Sequence, residues 1–351
     1  MRTRVTELFG VEHPIVLSGM SWISTPELVA AVANAGGLGI LATGVLDADQ
    51  TREAVRRTRE LTDRPFAANV TLYFPGNRKN AEVLLEEEVP VINYSLGKGD
   101  WICERAHAYG GKVIATVATQ KHAEAAERDG ADALIVTGHE AAGHGGPVTS
   151  LVLVPSLANR VSIPIIAAGG FADGRGLAAA LALGAEGVAM GTRFMNTLES
   201  PVHDGAKRAS IEHEMTDTVY TNRVDGLHGR YVDAVGAQRL IHQRLNPLSA
   251  LLRSREIAGL LGLPWAKLAA GIVLSGYKKS VQMARMAIGF EAFKNGCTQG
   301  DLDRGVLPLG QSTGLIDDTP AVAAVIDRIV NEAEAAATRL GQTIHHPVSV
   351  G

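Results

Sequence analysis

The chain has 351 residues, 46% of them apolar and only 5% aromatic, so it can bury a large core to which aromatic rings contribute little. Its formal net charge of −4 gives no electrostatic reason to bind nucleic acid or an anionic membrane, and we expect neither as a partner. The amino terminus has no apolar signal core and no apolar run is long enough to span a bilayer, so we expect a soluble, cytoplasmic protein.

Eight short apolar runs alternate with amphipathic stretches over the first part of the chain. The runs are Ile15–Gly19, Leu38–Ala42, Phe66–Leu72, Val91–Leu96, Lys112–Val117, Ala133–Gly138, Pro164–Gly170 and Gly187–Phe194. Helix-like segments include Pro26–Ala35, Ala48–Leu61, Trp101–Tyr109, Lys121–Asp129 and Gly174–Leu183. Strands that are apolar on both faces and lead into helices are typical of a parallel sheet covered by helices. The count of eight favours an α/β fold of the (β/α)8 TIM-barrel type over a doubly wound sheet.

The pattern changes after the eighth run. Residues 200–300 have few β-like runs and are predicted to form a mainly helical insertion over the carboxyl face of the barrel, or a small separate helical domain. A final helix is predicted over 318–340, with Asp317 and Asp318 supplying its N-cap. The predicted division is a barrel over 1–199, a helical lid over 200–300, and a return segment with the closing helix over 301–351.

The two cysteines, Cys103 and Cys297, are far apart in the chain and have no metal-binding spacing. Two such residues do not make a disulfide framework. We expect both to be buried free thiols of a protein in a reducing compartment.

Two glycine-bearing segments follow the seventh and eighth runs, where barrel enzymes commonly bind phosphate. Gly169 and Gly170 would let backbone N–H groups approach an anion, and Asp173 could cap a helix whose first amides also favour phosphate. Gly191 and Thr192 add a second pair of amides and a hydroxyl. The alternative is that these glycines only make tight turns, and their spacing does not match a G-x-G-x-x-G dinucleotide motif. The two segments together favour a phosphate site.

The sixth run ends in VTGHEAAGHGGP, which places two histidines, an acid and four glycines where a barrel carries catalytic residues. Imidazole is well suited to moving a proton near neutral pH, and the glycines beside His144 would let it lie close to a flat ring. His144 is therefore the predicted catalytic residue, against the alternative that it only binds backbone carbonyls. For His139 and Glu140 we favour structural roles. The two histidines have no third ligand at a recognisable spacing, so no metal site is predicted.

These segments resemble the nitronate monooxygenase family, also called 2-nitropropane dioxygenase-like flavoproteins. The resemblance follows the whole barrel in order and includes the closing helix. The matching pieces are HPIVLSGM (13–20), AVANAGGLGIL (31–41), PFAANVTL (65–72), GHEAAGHGG (138–146), PIIAAGGFADGRGLAAALALGAEGVAMGTRF (164–194) and PLGQSTGLIDD (308–318).

The resemblance implies FMN as the cofactor, with NADH or NADPH as a co-substrate in some branches. It implies that the ends of strands one and three contact the flavin ring and that the two glycine-bearing segments hold the phosphate. It also implies that the return loop lies near the flavin and that His144 lies near its reactive edge. The expected cofactor-binding residues are Ser18, Gly19, Met20, Asn69, Thr116, Gly138, Gly169, Gly170, Met190, Gly191, Thr192 and Gln311.

The chain departs from some relatives at strand five, where Thr116 stands in place of lysine. Threonine can hydrogen-bond to a flavin ring but supplies no cation, which weakens transfer of the NADH:quinone reductase activity found in one branch. The segment YTNRVDG (220–226) is similar to a branch that reduces CoA thioesters in steroid-ring breakdown.

Three functions fit these observations, each with a small-molecule substrate. The first is oxidation of alkyl nitronates with FMN and dioxygen, in which His144 stabilises the nitronate or removes the α-proton of a nitroalkane. The second is NAD(P)H-dependent reduction of a quinone or of an enoyl- or oxo-thioester, in which His144 donates a proton. The third is a flavin-binding protein without turnover. An apolar surface on the insertion could also pair two chains as a homodimer.

The insertion could distinguish the nitronate function from the thioester function, because several of its residues are cationic and lie between apolar stretches. A cationic, apolar-lined lid would suit the phosphates of CoA or an acyl carrier better than a small nitronate. The alternative is ordinary solvated helix faces. The cationic residues of the segment 239–285 are Arg239, Arg244, Arg253, Arg255, Lys267, Lys278, Lys279 and Arg285.

Overall fold

The computed structural model describes residues 1–73, 76–244 and 277–344, and its central feature is a closed barrel of eight parallel strands. Each strand pairs with the next along the chain, and the eighth pairs with the first. The predicted (β/α)8 barrel is therefore confirmed. The strands are β1 (Ile15–Leu17), β2 (Leu38–Ala42), β3 (Ala67–Thr71), β4 (Val91–Ser95), β5 (Lys112–Val117), β6 (Ala133–Thr137), β7 (Ile165–Ala168) and β8 (Gly187–Met190).

Helices cover the barrel and continue beyond it. The described helices are α1 (Arg4–Phe9), α2 (Pro26–Asn34), α3 (Ala48–Leu61), α4 (Asn77–Glu86), α5 (Asp100–Ala108), α6 (Gln120–Arg128), α7 (Ser150–Ala158), α8 (Gly174–Ala182), α9 (Thr192–Met195), α10 (Asp204–Glu212), α11 (Val235–His242), α12 (Tyr277–Gln299) and α13 (Val322–Ile344). A short 3₁₀ helix spans Gln311–Leu315. No described helix is long and apolar enough to cross a membrane.

Successive strand residues point to opposite faces of the sheet, which gives the barrel two apolar layers. In β1, Val16 joins an inner cluster with Ile40 and Ile166, whereas its neighbours Ile15 and Leu17 join the outer cluster beneath the helices. The inner cluster also contains apolar side chains of α1, which therefore covers one end of the barrel interior. Because both faces are buried, the strands have no polar alternation, as the apolar runs indicated.

Several strands end earlier than the sequence predicted, because glycine and polar residues at their carboxyl ends form loops. Gly169 and Gly170 follow β7 with positive φ values of +99° and +84°, which a β-strand does not accommodate. At β8 the chain turns into α9 directly after Met190. These shortened ends bring the site residues to one rim of the barrel.

The insertion is less purely helical than predicted. Strands β9 (Thr218–Thr221) and β10 (Gly229–Val232) form an antiparallel hairpin. Gly143 lies in the loop after β6 that carries His139 and His144, here called the histidine loop, and it forms an isolated β-bridge with Arg230. The alternating TVYT and GRYV sequences, rich in β-branched and aromatic residues, explain this pairing. Helices α10, α11 and α12 supply the helical part. The division into three domains remains a prediction, and the predicted lid residues Arg253, Arg255 and Lys267 lie outside the described residues.

The predicted capping of the closing helix by Asp317 and Asp318 is wrong. The helix begins at Val322, whose amide donates to both carboxylate oxygens of Glu199 at 3.0 Å. Asp318 instead forms ion pairs with Arg193 and Arg328, at 2.9 and 2.7 Å. Arg193 is buried, and a buried arginine is stabilised by a carboxylate partner. Asp318 therefore holds the return segment against α9.

Both cysteines are buried free thiols, as predicted. Burial raises the pKa of the Cys103 thiol and of the Cys297 thiol to about 12. Because the thiolate is the reactive form, neither residue is suited to nucleophilic chemistry in the folded protein.

Gly174 is where the closing helix meets α8, and replacing it with alanine should destabilise the fold. A Cβ atom there would overlap the backbone of Ile329 and Ala333. We expect a loss of unfolding free energy of about 3 kcal/mol, as for overpacked sites. Gly341, also in α13, has no atom within 4 Å of a built Cβ and provides the control. In urea titration Gly341→Ala should be neutral or stabilising, and equal midpoints for the two variants would refute the packing assignment.

Candidate functional site

Apart from Gln311, the predicted cofactor-binding residues lie in the barrel strands or directly after their carboxyl ends. Ser18, Gly19 and Met20 follow β1, Asn69 lies in β3 and Thr116 in β5. Gly138 follows β6, Gly169 and Gly170 follow β7, and Gly191 follows β8. Met190 ends β8, Thr192 begins α9, and Gln311 begins the 3₁₀ helix. Parallel strands end at one rim of a barrel, so the structure brings these residues together at the face where barrel enzymes carry their sites.

The first part of this rim is tightly packed. A Cβ built on Gly19 would lie 2.7 Å from Cβ of Asn69, and one built on Gly191 would lie 3.2 Å from Sδ of Met20. The Ser18 amide donates to the Met190 carbonyl at 3.1 Å. The ends of β1, β3 and β8 therefore approach closely, and at Gly19 the approach requires a residue without Cβ.

The predicted phosphate cradle consists of two loops whose amides remain available. Gly169 and Gly170 adopt positive φ, and a Cβ on Gly169 would lie 3.1 Å from the Gly138 carbonyl oxygen. Among the described residues, none accepts a hydrogen bond from the amide of Gly170 or Thr192. The Thr192 hydroxyl accepts from the Gly310 amide at 3.2 Å, which places the return segment beside the cradle. These donors fit a phosphate group such as that of FMN.

The first amides of α8 were also predicted to favour phosphate, and the structure contradicts this. Asp173 caps the helix as predicted, and its carboxylate accepts from the Gly176 amide at 2.9 Å. The Gly174 amide donates to Glu332 of the closing helix at 2.9 Å. Two carboxylates already occupy this helix terminus, so an added anion would be repelled there. A phosphate would depend on the loops after β7 and β8 instead.

A polar floor crosses the barrel mouth between β3 and β5. The amide of Asn93, which the sequence analysis missed, donates to the Thr116 hydroxyl at 2.9 Å and to the Ile114 carbonyl at 3.1 Å. Asn93 stands directly opposite Asn69 in the β3–β4 register. Because Thr116 accepts from Asn93, its hydroxyl hydrogen can point toward a ligand. An asparagine inside an otherwise apolar run was the available indication of a special position.

His144 is held by a carboxylate from the insertion. Its Nε2 lies 2.7 Å from Oδ2 of Asp225, whose side chain is 3% exposed, whereas the imidazole is 31% exposed. The second oxygen of Asp225 accepts the Leu227 amide at 3.0 Å. The imidazole therefore has a fixed orientation, and Nδ1 is the ring nitrogen left to exchange a proton with a ligand.

The hairpin clamps the histidine loop at several further points. The Tyr220 hydroxyl donates to the Gly145 carbonyl at 2.8 Å, and the Arg230 guanidinium donates to the His139 carbonyl at 3.1 and 3.2 Å. Burial lowers the pKa of the Arg230 guanidinium. Sequence reasoning missed both side chains because they belong to a segment 75 or more residues further along the chain.

His139 and Glu140 take structural positions. Nδ1 of His139 lies 3.1 Å from the Gly146 carbonyl oxygen, across the base of the loop. The Glu140 carboxylate accepts the Ser150 amide at 3.0 Å and so caps α7. No group of His, Cys, Asp and Glu in the described parts of the chain is arranged to hold a metal ion.

The chain is similar to known proteins in both sequence and structure. The family model described as "Nitronate monooxygenase" matches residues 2–82 and 73–332. A Rhodococcus jostii protein named "(3aS,4S,5R,7aS)-5-hydroxy-7a-methyl-1-oxo-octahydro-1H-indene-4-carboxyl-CoA dehydrogenase" is 40% identical over 95% of this chain and 96% of its own length. A "Probable nitronate monooxygenase" of Staphylococcus saprophyticus is 34% identical over 66% of this chain and 79% of its own length. The solved structure of FabK from Thermotoga maritima has a TM-score of 0.83 and 37% identity, covering 98% of this chain and 99% of that chain.

Proposed function

The chain belongs to the nitronate monooxygenase family, and we propose that within this family of flavin oxidoreductases it is an FMN-dependent dehydrogenase or reductase of a coenzyme A thioester. The observation on which the proposal depends is the His144–Asp225 pair, in which a buried carboxylate supports an accessible imidazole. Asp225 belongs to the insertion. The similarity to a CoA dehydrogenase covers 95% of this chain, so it includes most of the insertion.

The residues that would hold FMN are those of the rim already described. Gly169, Gly170 and Thr192 would bind its phosphate through backbone amides, and Asn69 and Thr116 would hydrogen-bond to its ring. When bound, FMN supplies two-electron transfer chemistry. The protein contributes the fixed geometry of the rim and a group that moves a proton.

His144 is the residue that we assign to proton transfer. Asp225 stabilises the positive charge that the imidazole gains when Nδ1 accepts a proton from a hydroxyl of the substrate. In the reductive direction the same nitrogen returns the proton to the substrate. A nitronate is already an anion and needs no such base, so the pair suits a hydroxyl- or oxo-bearing thioester better.

Oxidation of nitronates is the second candidate, supported by the Staphylococcus relatives named as probable nitronate monooxygenases. An exposed imidazolium could stabilise a nitronate anion without any change in the site. A third possibility, a flavin-binding protein without turnover, leaves the His144–Asp225 pair without a purpose. The homodimer stays a prediction.

Anaerobic titration of the FMN-loaded protein distinguishes these functions. We expect the flavin absorbance to bleach with a hydroxyacyl-CoA, or with NADH or NADPH and then recover on addition of an enoyl- or oxoacyl-CoA. The matched controls are the free acids of the same acyl groups. Bleaching by propionate 3-nitronate or 2-nitropropane alone, with no response to any thioester, would contradict the proposal and favour the second candidate.

A further inference from the structure

Two arginines, Arg223 and Arg285, are in contact at the edge of the candidate site, and neither has a carboxylate partner among the residues that the structure describes. We propose that Arg223 and Arg285 bind a phosphate group of an adenine-nucleotide ligand, either coenzyme A of the substrate or the pyridine nucleotide. This inference rests on the proposed function, because it assigns the residues that recognise the phosphate end of a ligand whose other end lies near His144.

The loop between β9 and β10 separates its side chains into two groups. Val224 and Asp225 are 1% and 4% exposed and point into the structure, where Asp225 holds His144. Arg223, by contrast, is exposed. Only Val224 separates the exposed arginine from the aspartate whose carboxylate orients the imidazole. A ligand bound by Arg223 would therefore contact the same short loop that holds His144 through Asp225.

Arg285 reaches this loop from α12. Its Nη1 donates to the backbone carbonyl of Arg223 at 2.7 Å, and a Cβ built on Gly226 would lie 4.0 Å from Cβ of Arg285. One turn earlier on the helix, Gln282 donates to the Tyr73 hydroxyl at 3.1 Å, just beyond β3. The half-buried guanidinium of Arg285 is thus fixed between the hairpin loop and the barrel rim.

The charges at this point are unbalanced. Burial and the neighbouring charge of Arg223 both lower the pKa of the Arg285 guanidinium. Within the described parts of the chain, neither arginine forms an ion pair, whereas the buried Arg193 is paired with Asp318. Both oxygens of Asp225 already accept hydrogen bonds from His144 and Leu227. A bound anion would relieve the repulsion between the two cations.

A phosphate is an anion that two guanidinium groups can bind together. Each presents a planar set of N–H donors that can bind phosphate oxygens in pairs, and more than one phosphate occurs in CoA, NADH and NADPH. We therefore expect the arginine pair to recognise the phosphate groups that these ligands share. Pantetheine, which is the arm of CoA without phosphate, should gain nothing from the pair.

The test is a binding titration on the FMN-loaded protein with CoA, NADH, NADPH and pantetheine as separate probes. We expect Arg223→Gln and Arg285→Gln each to weaken binding of the phosphate-bearing ligand about tenfold, and the loss to shrink at high salt. Pantetheine binding should not change. Arg160→Gln provides the matched control, because Arg160 is exposed in the loop before β7 and forms no ion pair with any described residue.

The pattern of losses identifies the source of the phosphate. A loss confined to CoA assigns the pair to the substrate, and a loss confined to NADH or NADPH assigns it to the pyridine nucleotide. If all three nucleotides bind both variants as tightly as they bind Arg160→Gln, the inference is overturned. Turnover of a CoA thioester in both variants with unchanged KM values for the thioester and for the pyridine nucleotide would also overturn it, while leaving the proposed function intact.

Discussion

Replacing His144 with alanine is expected to lower turnover about a hundredfold while FMN remains bound, because a positioned acid–base group contributes about this much to a rate. The imidazole is 31% exposed, so its removal leaves no cavity in the core. The measurement is kcat with the substrate that bleaches the flavin under anaerobic conditions, together with the FMN content of the purified variant. Normal turnover with bound FMN would show that the proton moves elsewhere.

Asp225→Asn tests the partner of the imidazole. The amide can keep the shape of the side chain but removes the charge that stabilises a protonated imidazole, so we expect kcat to fall about tenfold or more. Asp225 acts through His144 and is a positioning residue, so the pH profile of kcat/KM should shift as well. Asp233→Asn, at an exposed position just after β10, is the control. A fall in stability with an unchanged pH profile would reduce Asp225 to a structural role.

Replacing Gly169 with alanine should weaken FMN binding at least about tenfold. Its φ of +99° is strained for any residue with a Cβ, and the added atom would lie 3.1 to 3.2 Å from Gly138, Ala141 and Ser150. The loop after β7 must shift to relieve both effects, and the Gly170 amide in the cradle shifts with it. The dissociation constant is measured from the quenching of FMN fluorescence.

Gly130 supplies a closely matched control for this variant. It has a φ of +97°, and a built Cβ would lie 3.3 Å from Cβ of Cys103, but it lies between α6 and β6, away from the carboxyl rim. Gly130→Ala should lose comparable stability, about 1 to 3 kcal/mol, and bind FMN as the unchanged protein does. Equal loss of FMN affinity in the two variants would mean that global destabilisation, rather than the cradle, explains the effect.

The barrel could be predicted from sequence because its determinants are local. Apolar runs such as Leu38–Ala42 and Lys112–Val117 have the same bounds in the structure as in the prediction, since burial on both faces leaves a continuous apolar pattern. The rim glycines could be located for the same reason, because they directly follow strands. The hairpin was missed because its two strands have only four residues each, within a segment of otherwise helical character.

The partners of the site residues could not be predicted from local patterns. Asp225 is 81 residues from His144, and the similarity of YTNRVDG to another branch gave no indication that its carboxylate contacts the imidazole. Glu199 caps a helix that begins 123 residues later, which displaced the local prediction for Asp317 and Asp318. In each case a tertiary contact determined the role, and only the folded chain brings the two groups together.

Comparison of FMN with riboflavin tests most directly the claim that backbone amides at the ends of β7 and β8 hold the flavin by its phosphate. The two ligands share a ring system and differ in that phosphate. We predict that the protein binds a single FMN and that riboflavin binds at least about tenfold more weakly, as expected when charge-assisted hydrogen bonds are lost. Equal affinity for the two ligands, or failure to bind FMN, would contradict the claim.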